Sequence, residues 1–272
     1  MKKLLILPLL FVLFAWQNPQ KIWVALGDSI TYLNEHPDET YHRVKKGYMT
    51  RTVEKLPNLN YINHGYNGWT AVRVAQKIEE LGIQKADIYS IFLGTNDWWA
   101  GLPKGSLSDY QNSSGTETIA GAFRVIVDHL KGLNAEADFV IITPMQRSDF
   151  VYVDNFKNNA FGSYKEKNGQ SLESIVELIR QIGQEENIKV IDLYHHPKLG
   201  IEKLINYKYL KNPDTGKYQE YGYPEYTKIP FDPGNDQYPY PLDAIGMTYD
   251  GLHPSDEGNE LIAKLLAKAL KD

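Results

Sequence analysis

Ser29 and His253 lie in two short motifs whose side chains could together cleave an ester bond. Ser29 stands in the run Gly-Asp-Ser-Ile at 27–30, and His253 stands in Asp-Gly-Leu-His-Pro at 250–254. A serine hydroxyl becomes a nucleophile when a histidine accepts its proton, and a carboxylate on the second imidazole nitrogen fixes the tautomer that does so. Asp250, three residues before His253, could make that contact within one loop. Taken alone, each motif also fits an ordinary entry into a helix.

Two further motifs could supply hydrogen-bond donors to a developing oxyanion. The first is Asn-x-Gly-x-x-Gly at 63–68, in which Gly68 lets the backbone approach a ligand and direct an N–H towards it. The second is Gly-Thr-Asn-Asp at 94–97, where the Asn96 amide could donate in the same way. A simple turn explains each of these motifs in isolation. The four motifs together supply a nucleophile, two oxyanion donors, a base and an orienting acid, which is hard to obtain by chance.

Three of the motifs follow segments that are predicted to be β-strands, and the fourth precedes the last helix. The predicted strands are Ile22–Gly27, Leu59–Gly65, Ala86–Gly94, Ala137–Met145 and Ile188–Leu193. Apolar residues spaced at three and four predict helices at Ala71–Leu81, Thr118–Leu133, Ser171–Glu186 and Asp256–Leu270. Alternating strands and helices form a parallel sheet with helices on both faces, and functional loops collect at the carboxyl ends of its strands.

At these four motifs the sequence resembles the GDSL, or SGNH, hydrolase family, which is named for Ser, Gly, Asn and His in four blocks. The blocks here contain Ser29, Gly68, Asn96 and His253, and they extend over residues 27–254. The resemblance implies an α/β fold, namely a flavodoxin-like three-layer α/β/α sandwich with a central parallel sheet of about five strands.

The resemblance also implies a role for each matching residue. Ser29 is expected to be the nucleophile and His253 the general base, with Asp250 orienting the imidazole. The N–H of Ser29, the N–H of Gly68 and Nδ2 of Asn96 are expected to form the oxyanion hole.

The first block departs from the family name at one position. Ile30 stands where the name has leucine, and this conservative change falls at a position that is expected to pack. Asp28, the acid of the same block, is expected to support the turn rather than to act as a second catalytic acid.

Aromatic residues are concentrated in two segments outside the strand and helix pattern. Trp98 and Trp99 directly follow the 94–97 motif, and we expect them to contact substrate, since flat amphipathic rings can stack on sugars. Residues 201–249 contain nine of the 19 tyrosines and six of the 14 prolines. This insertion is either functional or a surface loop that packs its own aromatic side chains.

The composition limits the class of protein further. The chain has 272 residues, no cysteine and a formal net charge of −5, which suits one domain without disulfides, Cys-bound metals or thiol nucleophiles. The acidic balance and the lack of a basic run disfavour a nucleic-acid partner. His195 and His196 are adjacent, and neighbouring side chains of an extended segment point apart, so we predict no metal site and no cofactor.

Residues 1–16 are predicted to be a bacterial-type signal peptide. Two lysines precede an almost unbroken apolar run from Leu4 to Ala15. The run is too short to span a bilayer of about 30 Å, which favours a cleaved signal over an uncleaved anchor or a buried first helix. Cleavage would leave residues 17–272 as a single domain, periplasmic or extracellular and not stably inserted in a membrane.

The sequence therefore predicts an exported serine esterase that forms an acyl-enzyme on Ser29. A carbohydrate ester is the favoured substrate because export, an acidic mature chain and loops rich in Tyr and Trp suit a glycan. The alternatives are a lysophospholipase or lipase, which needs a contiguous aliphatic patch near Ser29, a thioesterase, and an acyltransferase with a sugar acceptor. A non-catalytic glycan-binding protein is a hypothesis of another class, disfavoured by the complete set of catalytic groups. The oligomeric state is not indicated.

Overall fold

Short apolar runs form the strands of a central sheet. The computed structural model describes residues 19–271. The predicted signal peptide at 1–16 lies outside the described residues. The strands are β1 (Lys21–Gly27), β2 (Leu59–Gly65), β3 (Ile88–Phe92), β4 (Asp138–Ile142), β5 (Phe150–Val151), β6 (Asn159–Ala160), β7 (Lys189–Ile191), β8 (Lys208–Lys211) and β9 (Tyr218–Tyr221). Five of them form one parallel sheet in the order β2-β1-β3-β4-β7. This is the strand order of flavodoxin-like folds.

Helices cover both faces of the sheet. They are α1 (Ser29–Tyr32), α2 (Tyr48–Lys55), α3 (Ala71–Lys77), α4 (Thr95–Ala100), α5 (Leu107–Gln111), α6 (Ile119–Leu133), α7 (Leu172–Glu185), α8 (Ile201–Leu204) and α9 (Asp256–Ala269). No helix in the described part of the chain is long and apolar enough to cross a membrane.

Strand β1 shows how the two halves of the core arise from one apolar run. Val24 and Leu26 pack into a cluster with residues of α3, α6 and α7 on one face of the sheet. Trp23 and Ala25 point to the opposite face, where residues of α2 and α9 cover them. A strand covered on both faces needs apolar residues at every position, which explains its continuous apolar sequence. The predicted three-layer sandwich with five parallel strands is confirmed.

Some predicted elements are longer than the observed ones. Strand β4 ends at Ile142 rather than Met145, just before Pro144, which has no N–H for a neighbouring strand. The helix predicted to end at Leu81 ends at Lys77 as an α-helix and continues as a 3₁₀ turn.

The insertion at 201–249 is ordered around a small core of its own. It contains α8, the antiparallel hairpin β8–β9 and two 3₁₀ turns. Leu210, Tyr226 and Tyr240 are buried there together with Val151 of the neighbouring hairpin β5–β6. The insertion thus packs its own aromatic side chains, and it does so against a segment that follows β4.

Candidate active site

Ser29 lies on a sharp turn between β1 and α1. A Cβ atom on Gly27 would lie 2.0 Å from Thr31 Oγ1, so the chain can turn this closely only with glycine there. Asp28 caps the helix, since its Oδ1 accepts a hydrogen bond of 3.0 Å from the N–H of Ile30. The turn therefore fixes Ser29 at the carboxyl end of β1.

His253 and Asp250 lie on the loop that leads into α9. Asp250 Oδ1 accepts hydrogen bonds from the N–H groups of Leu252 at 3.0 Å and His253 at 2.8 Å. Gly251 has a φ of +89°, and a Cβ there would lie 1.9 Å from Asp149 O, so the tight loop requires glycine. The loop is folded around the carboxylate, which leaves Oδ2 directed at the imidazole.

A continuous chain of hydrogen bonds joins the two loops. His253 Nδ1 lies 2.6 Å from Asp250 Oδ2, and His253 Nε2 lies 2.9 Å from Ser29 Oγ. Phe150 packs edge-on against the imidazole at 5.5 Å, and Tyr249 stacks on it at 5.8 Å between centroids. With the ring held in this way, the arrangement can move a proton from the serine hydroxyl to the imidazole.

The two motifs with expected oxyanion donors flank β1 at the same edge of the sheet. Gly27 of β1 is in register with Gly65 of β2 and with Phe92 of β3. Gly68 follows β2 by a short turn and has a φ of +75°, which favours glycine. Asn96 lies in the first turn of α4, and its Nδ2 donates a 3.0 Å hydrogen bond to Trp69 O. The topology thus brings both motifs to the end of the strand that carries Ser29.

A model of the GDSL-like Lipase/Acylhydrolase family matches residues 25–261. The chain belongs to this family. It is therefore a carboxylic ester hydrolase, and the family resemblance of the four motifs is confirmed. The hypothesis of a non-catalytic binding protein is replaced by this assignment.

Solved structures extend the comparison. A possible lipase from Chitinophaga pinensis DSM 2588 is 56% identical, with a TM-score of 0.92 over 93% of this chain and 98% of that chain. A protein from Lactobacillus plantarum is 19% identical, with a TM-score of 0.60 over 94% and 98%. A mutant acetyl-xylooligosaccharide esterase from Geobacillus Stearmophilus is 16% identical, with a TM-score of 0.50 over 93% and 95%. The last two share the fold alone. A search of curated proteins found no match.

The two tryptophans that follow Asn96 occupy different environments in the hydrolase. Trp98 is 0% exposed, and its Nε1 donates to Gln170 O at 3.0 Å. Burial leaves Trp98 no face for a substrate, so the expectation that it contacts substrate is corrected to a core position. Trp99 is half-buried and packs against the cluster of Phe150 and Leu252 beside His253. Trp99 remains a candidate for substrate contact.

His195, one of the two adjacent histidines, takes part in surface ion pairing. Its Nδ1 lies 2.9 Å from Asp192 Oδ2, and its Nε2 lies 3.4 Å from Glu173 Oε1. Within residues 19–271, no group of three or more His, Asp or Glu side chains is arranged to hold a metal ion.

Arg147 is a buried cation near the site that sequence reasoning missed. It is 1% exposed, and its Cζ lies 5.5 Å and 5.4 Å from the ring centroids of Trp98 and Trp99. Its Nε and Nη2 have no hydrogen-bond partner among the described residues. Burial lowers the pKa of Arg147 to about 10, while the charges of Asp250 and Asp149 oppose that shift. The guanidinium therefore stays positive at neutral pH, next to the acid of the Asp250–His253 loop.

Asp28 and Asp97, in the motifs of Ser29 and Asn96, are buried carboxyl groups. Burial raises the pKa of Asp28 to about 6, although the N–H of Ile30 and the charge of His253 partly offset it. Burial also raises the pKa of Asp97 to about 6. Asp97 accepts hydrogen bonds from the N–H groups of Ala71 at 2.8 Å and Val72 at 3.2 Å, which ties α4 to the start of α3. Both groups are ionised above pH 6, where their hydrogen bonds to the backbone are charge-assisted.

Proposed function

We propose that the hydrolase is a serine esterase in which Ser29 attacks the ester carbonyl. The observation that carries this proposal is the chain of hydrogen bonds from Ser29 Oγ through His253 to Asp250. His253 Nε2 is placed to accept the serine proton, and the Asp250 carboxylate stabilises the imidazolium that results.

The proposed reaction proceeds in two half-reactions. Ser29 Oγ adds to the carbonyl carbon, and the N–H groups of Ser29 and Gly68 with Nδ2 of Asn96 stabilise the oxyanion. His253 returns the proton to the leaving oxygen, so the alcohol departs and an acyl-enzyme remains. His253 then takes a proton from water, whose oxygen attacks the acyl carbon. The acid leaves and Ser29 regains its proton.

The nucleophile is tested by the variant Ser29→Ala. We expect loss of p-nitrophenyl acetate turnover and of covalent labelling by a fluorophosphonate probe, read by mass spectrometry, because no other group supplies the attacking oxygen. Ser108→Ala, which removes the hydroxyl of an exposed serine on α5, is the matched control and should keep both. Near-wild-type turnover by Ser29→Ala would overturn the assignment.

A carbohydrate ester is the substrate class that we propose. Exposed large hydrophobic side chains in the described chain are few, namely Ile22, Tyr41, Tyr223 and Leu242. Ile22 lies near the start of β1, at the end of the strand remote from Ser29. A long acyl chain would need a contiguous aliphatic surface beside the serine, whereas the half-buried Trp99 packs against the cluster of Phe150 and Leu252, and Phe150 contacts His253.

A lipase is the second candidate, and one comparison favours it. The structure that is 56% identical to this chain is that of a possible lipase. A series of p-nitrophenyl esters from two to sixteen carbons (about the range of natural acyl groups), together with acetylated xylan, separates the candidates. Preference for acetyl esters supports the carbohydrate proposal, and preference for chains longer than about eight carbons overturns it.

Export is proposed from residues 1–16, whose lysines and apolar run fit a secretion signal. The full-length gene expressed in a bacterium should yield protein outside the cytoplasm whose mass corresponds to a start near Gln17. Full-length protein retained in the cytoplasm would contradict this proposal.

A further inference from the structure

A pocket of about 320 Å³ lies between the hairpin β5–β6 and the 226–231 segment of the insertion. Its wall includes Lys165, Lys208, Lys228, Asp149, Phe161 and Phe231, and we call it the lysine pocket. A volume of this size suits a ligand of about one sugar ring.

The wall of the lysine pocket is positive although the chain has a net charge of −5. Lys208 is buried, and its Nζ lies 2.9 Å from Asp149 Oδ2. The other oxygen, Asp149 Oδ1, accepts hydrogen bonds from Gly162 N at 2.8 Å and Tyr164 Oη at 2.6 Å. Both carboxylate oxygens of Asp149, the one acidic residue of the wall, are thus paired within the protein.

Two lysines of the wall lack an acidic partner. Lys165 and Lys228 are exposed, and neither forms a salt bridge with any described residue. Glu166, next to Lys165, and Glu225, three residues before Lys228, are exposed and do not line the pocket. An anion entering the lysine pocket would therefore meet two uncompensated positive charges.

The lysines lie against aromatic rings. Lys208 Nζ is 5.4 Å from the ring centroid of Tyr226 and 5.9 Å from that of Phe231. Lys165 Nζ is 5.7 Å from the ring centroid of Phe161. Flat aromatic surface and ammonium groups side by side suit a ligand that has both a ring and a negative charge.

Phe150 connects the lysine pocket with His253. Phe150 lines the pocket, and its ring packs edge-on against the imidazole with centroids 5.5 Å apart. A ring held in the pocket and an ester bond at Ser29 could therefore belong to adjoining parts of one substrate.

We propose that the lysine pocket is a subsite for a carboxylate-bearing sugar ring, which makes an esterified acidic glycan the substrate class. This proposal rests on the proposed esterase function of Ser29. The carboxylate meets Lys165 and Lys228 at the rim, while the ring packs on Phe161 and Phe231.

The test measures acetate release from acetylated oligogalacturonides and from neutral acetylated xylo-oligosaccharides of equal length. For the wild type we expect kcat/KM to be about tenfold higher on the acidic substrate, chiefly through a lower KM, and to approach the neutral value in high salt. The double variant Lys165→Glu/Lys228→Glu should lower that ratio by about tenfold. Lys217→Glu reverses one charge, half of the change in the double variant, on an exposed lysine of the insertion outside the pocket and should keep the ratio.

The outcomes distinguish failure of the subsite proposal from failure of the esterase proposal. An acidic-to-neutral ratio that is unchanged in the double variant overturns the subsite, while Ser29-dependent acetate release still supports the esterase. Loss of the ratio in Lys217→Glu as well would show a general charge effect and overturn the subsite too. Sulfated, acetylated xylo-oligosaccharides form the third arm, and their preference over the uronides would overturn the carboxylate assignment.

Discussion

Asn96 donates its amide to Trp69 O, and this single contact fixes the direction of one expected oxyanion donor. Asn96 lies in the first turn of α4 and precedes Asp97, whose carboxylate accepts a hydrogen bond from Ala71 N–H at the start of α3. A donor whose direction is fixed by a backbone carbonyl costs little reorganisation when charge develops on the substrate.

Asn96→Ala should therefore lower kcat by about 10²–10³ while KM for a small ester changes little, because the donor acts on the transition state. Steady-state kinetics on p-nitrophenyl acetate gives both constants. Asn112→Ala, which removes an exposed amide bonded to Ser108 Oγ, is the control and should keep wild-type kcat. An Asn96→Ala enzyme with wild-type kcat would exclude the amide from the oxyanion hole.

Individual residues were predictable where their partners are local. Asp250 and His253 are three residues apart, so their contact follows from one loop. Lys208 and Asp149 are 59 residues apart and belong to no motif, so only the fold could pair them. The burial of Trp98 was equally hidden, because a helix as short as α4 has too few residues to reveal its inner face.

Among the elements, the Asp250–His253 loop is the one most constrained by glycine. Gly251→Ala would force a Cβ against Asp149 O at a backbone conformation that L-residues avoid. We expect a loss of about 2–4 kcal/mol in the free energy of unfolding, measured by urea denaturation. Gly132→Ala in α6, where a Cβ meets nothing within 4 Å, should instead stabilise by about 0.5–1 kcal/mol. Equal effects of the two variants would contradict the close approach of the loop to Asp149.

The turn that carries Ser29 should give the protein a pH-dependent stability. Burial raises the pKa of Asp28 to about 6, whereas an unfolded Asp has a pKa of about 3.9. Between these two pKa values, the native state still holds the proton that the unfolded state has released. The free energy of unfolding therefore falls as the pH rises through this window. The full loss is present above pH 6.

Asp28→Asn removes that titration and keeps an oxygen that can accept from Ile30 N–H. Relative to wild type, its free energy of unfolding should rise by about 2–3 kcal/mol between pH 4 and pH 8. Urea denaturation at the two pH values measures this difference. A constant difference between the proteins would mean that Asp28 titrates normally in the folded state.

The sequence pattern predicted the long elements and missed the short ones. The segments that form β1, β3, β4 and α6 have strong apolar patterns, whereas α2 has eight residues and buries only Tyr48, Met49 and Thr52. Much of what holds α2 is pairing with α9, as in Lys55 Nζ to Glu260 Oε1 at 2.9 Å, and such pairing has no local signature. The hairpin β8–β9 does have a local signature, which is the turn Pro-Asp-Thr-Gly at 213–216 between two short strands.

At the scale of the whole molecule, the insertion and the sandwich should unfold together. Tyr240 donates its hydroxyl to Asp149 O beside the catalytic loop, and Lys208 pairs with Asp149. The core of the insertion also includes Val151 from outside it. Contacts of this kind couple the two parts, and we propose that residues 17–272 form one cooperative unit.

Two optical signals can test this unity, because the insertion has nine tyrosines and no tryptophan. Tryptophan fluorescence reports on the sandwich alone, whereas tyrosine near-UV circular dichroism also reports on the insertion, which has nine of the 19 tyrosines. Their urea transitions, and that of esterase activity, should have the same midpoint. An earlier tyrosine transition would show that the insertion is a separate folding unit.

The hydrogen bond between Ser29 and His253 joins residues 224 positions apart. A ribosome therefore makes the serine well before it makes the proposed base and its acid. Nascent or truncated chains that stop before Asp250 carry the proposed nucleophile without the groups that are proposed to activate it. Hydrolytic activity is therefore expected only after synthesis has passed the loop that carries Asp250 and His253.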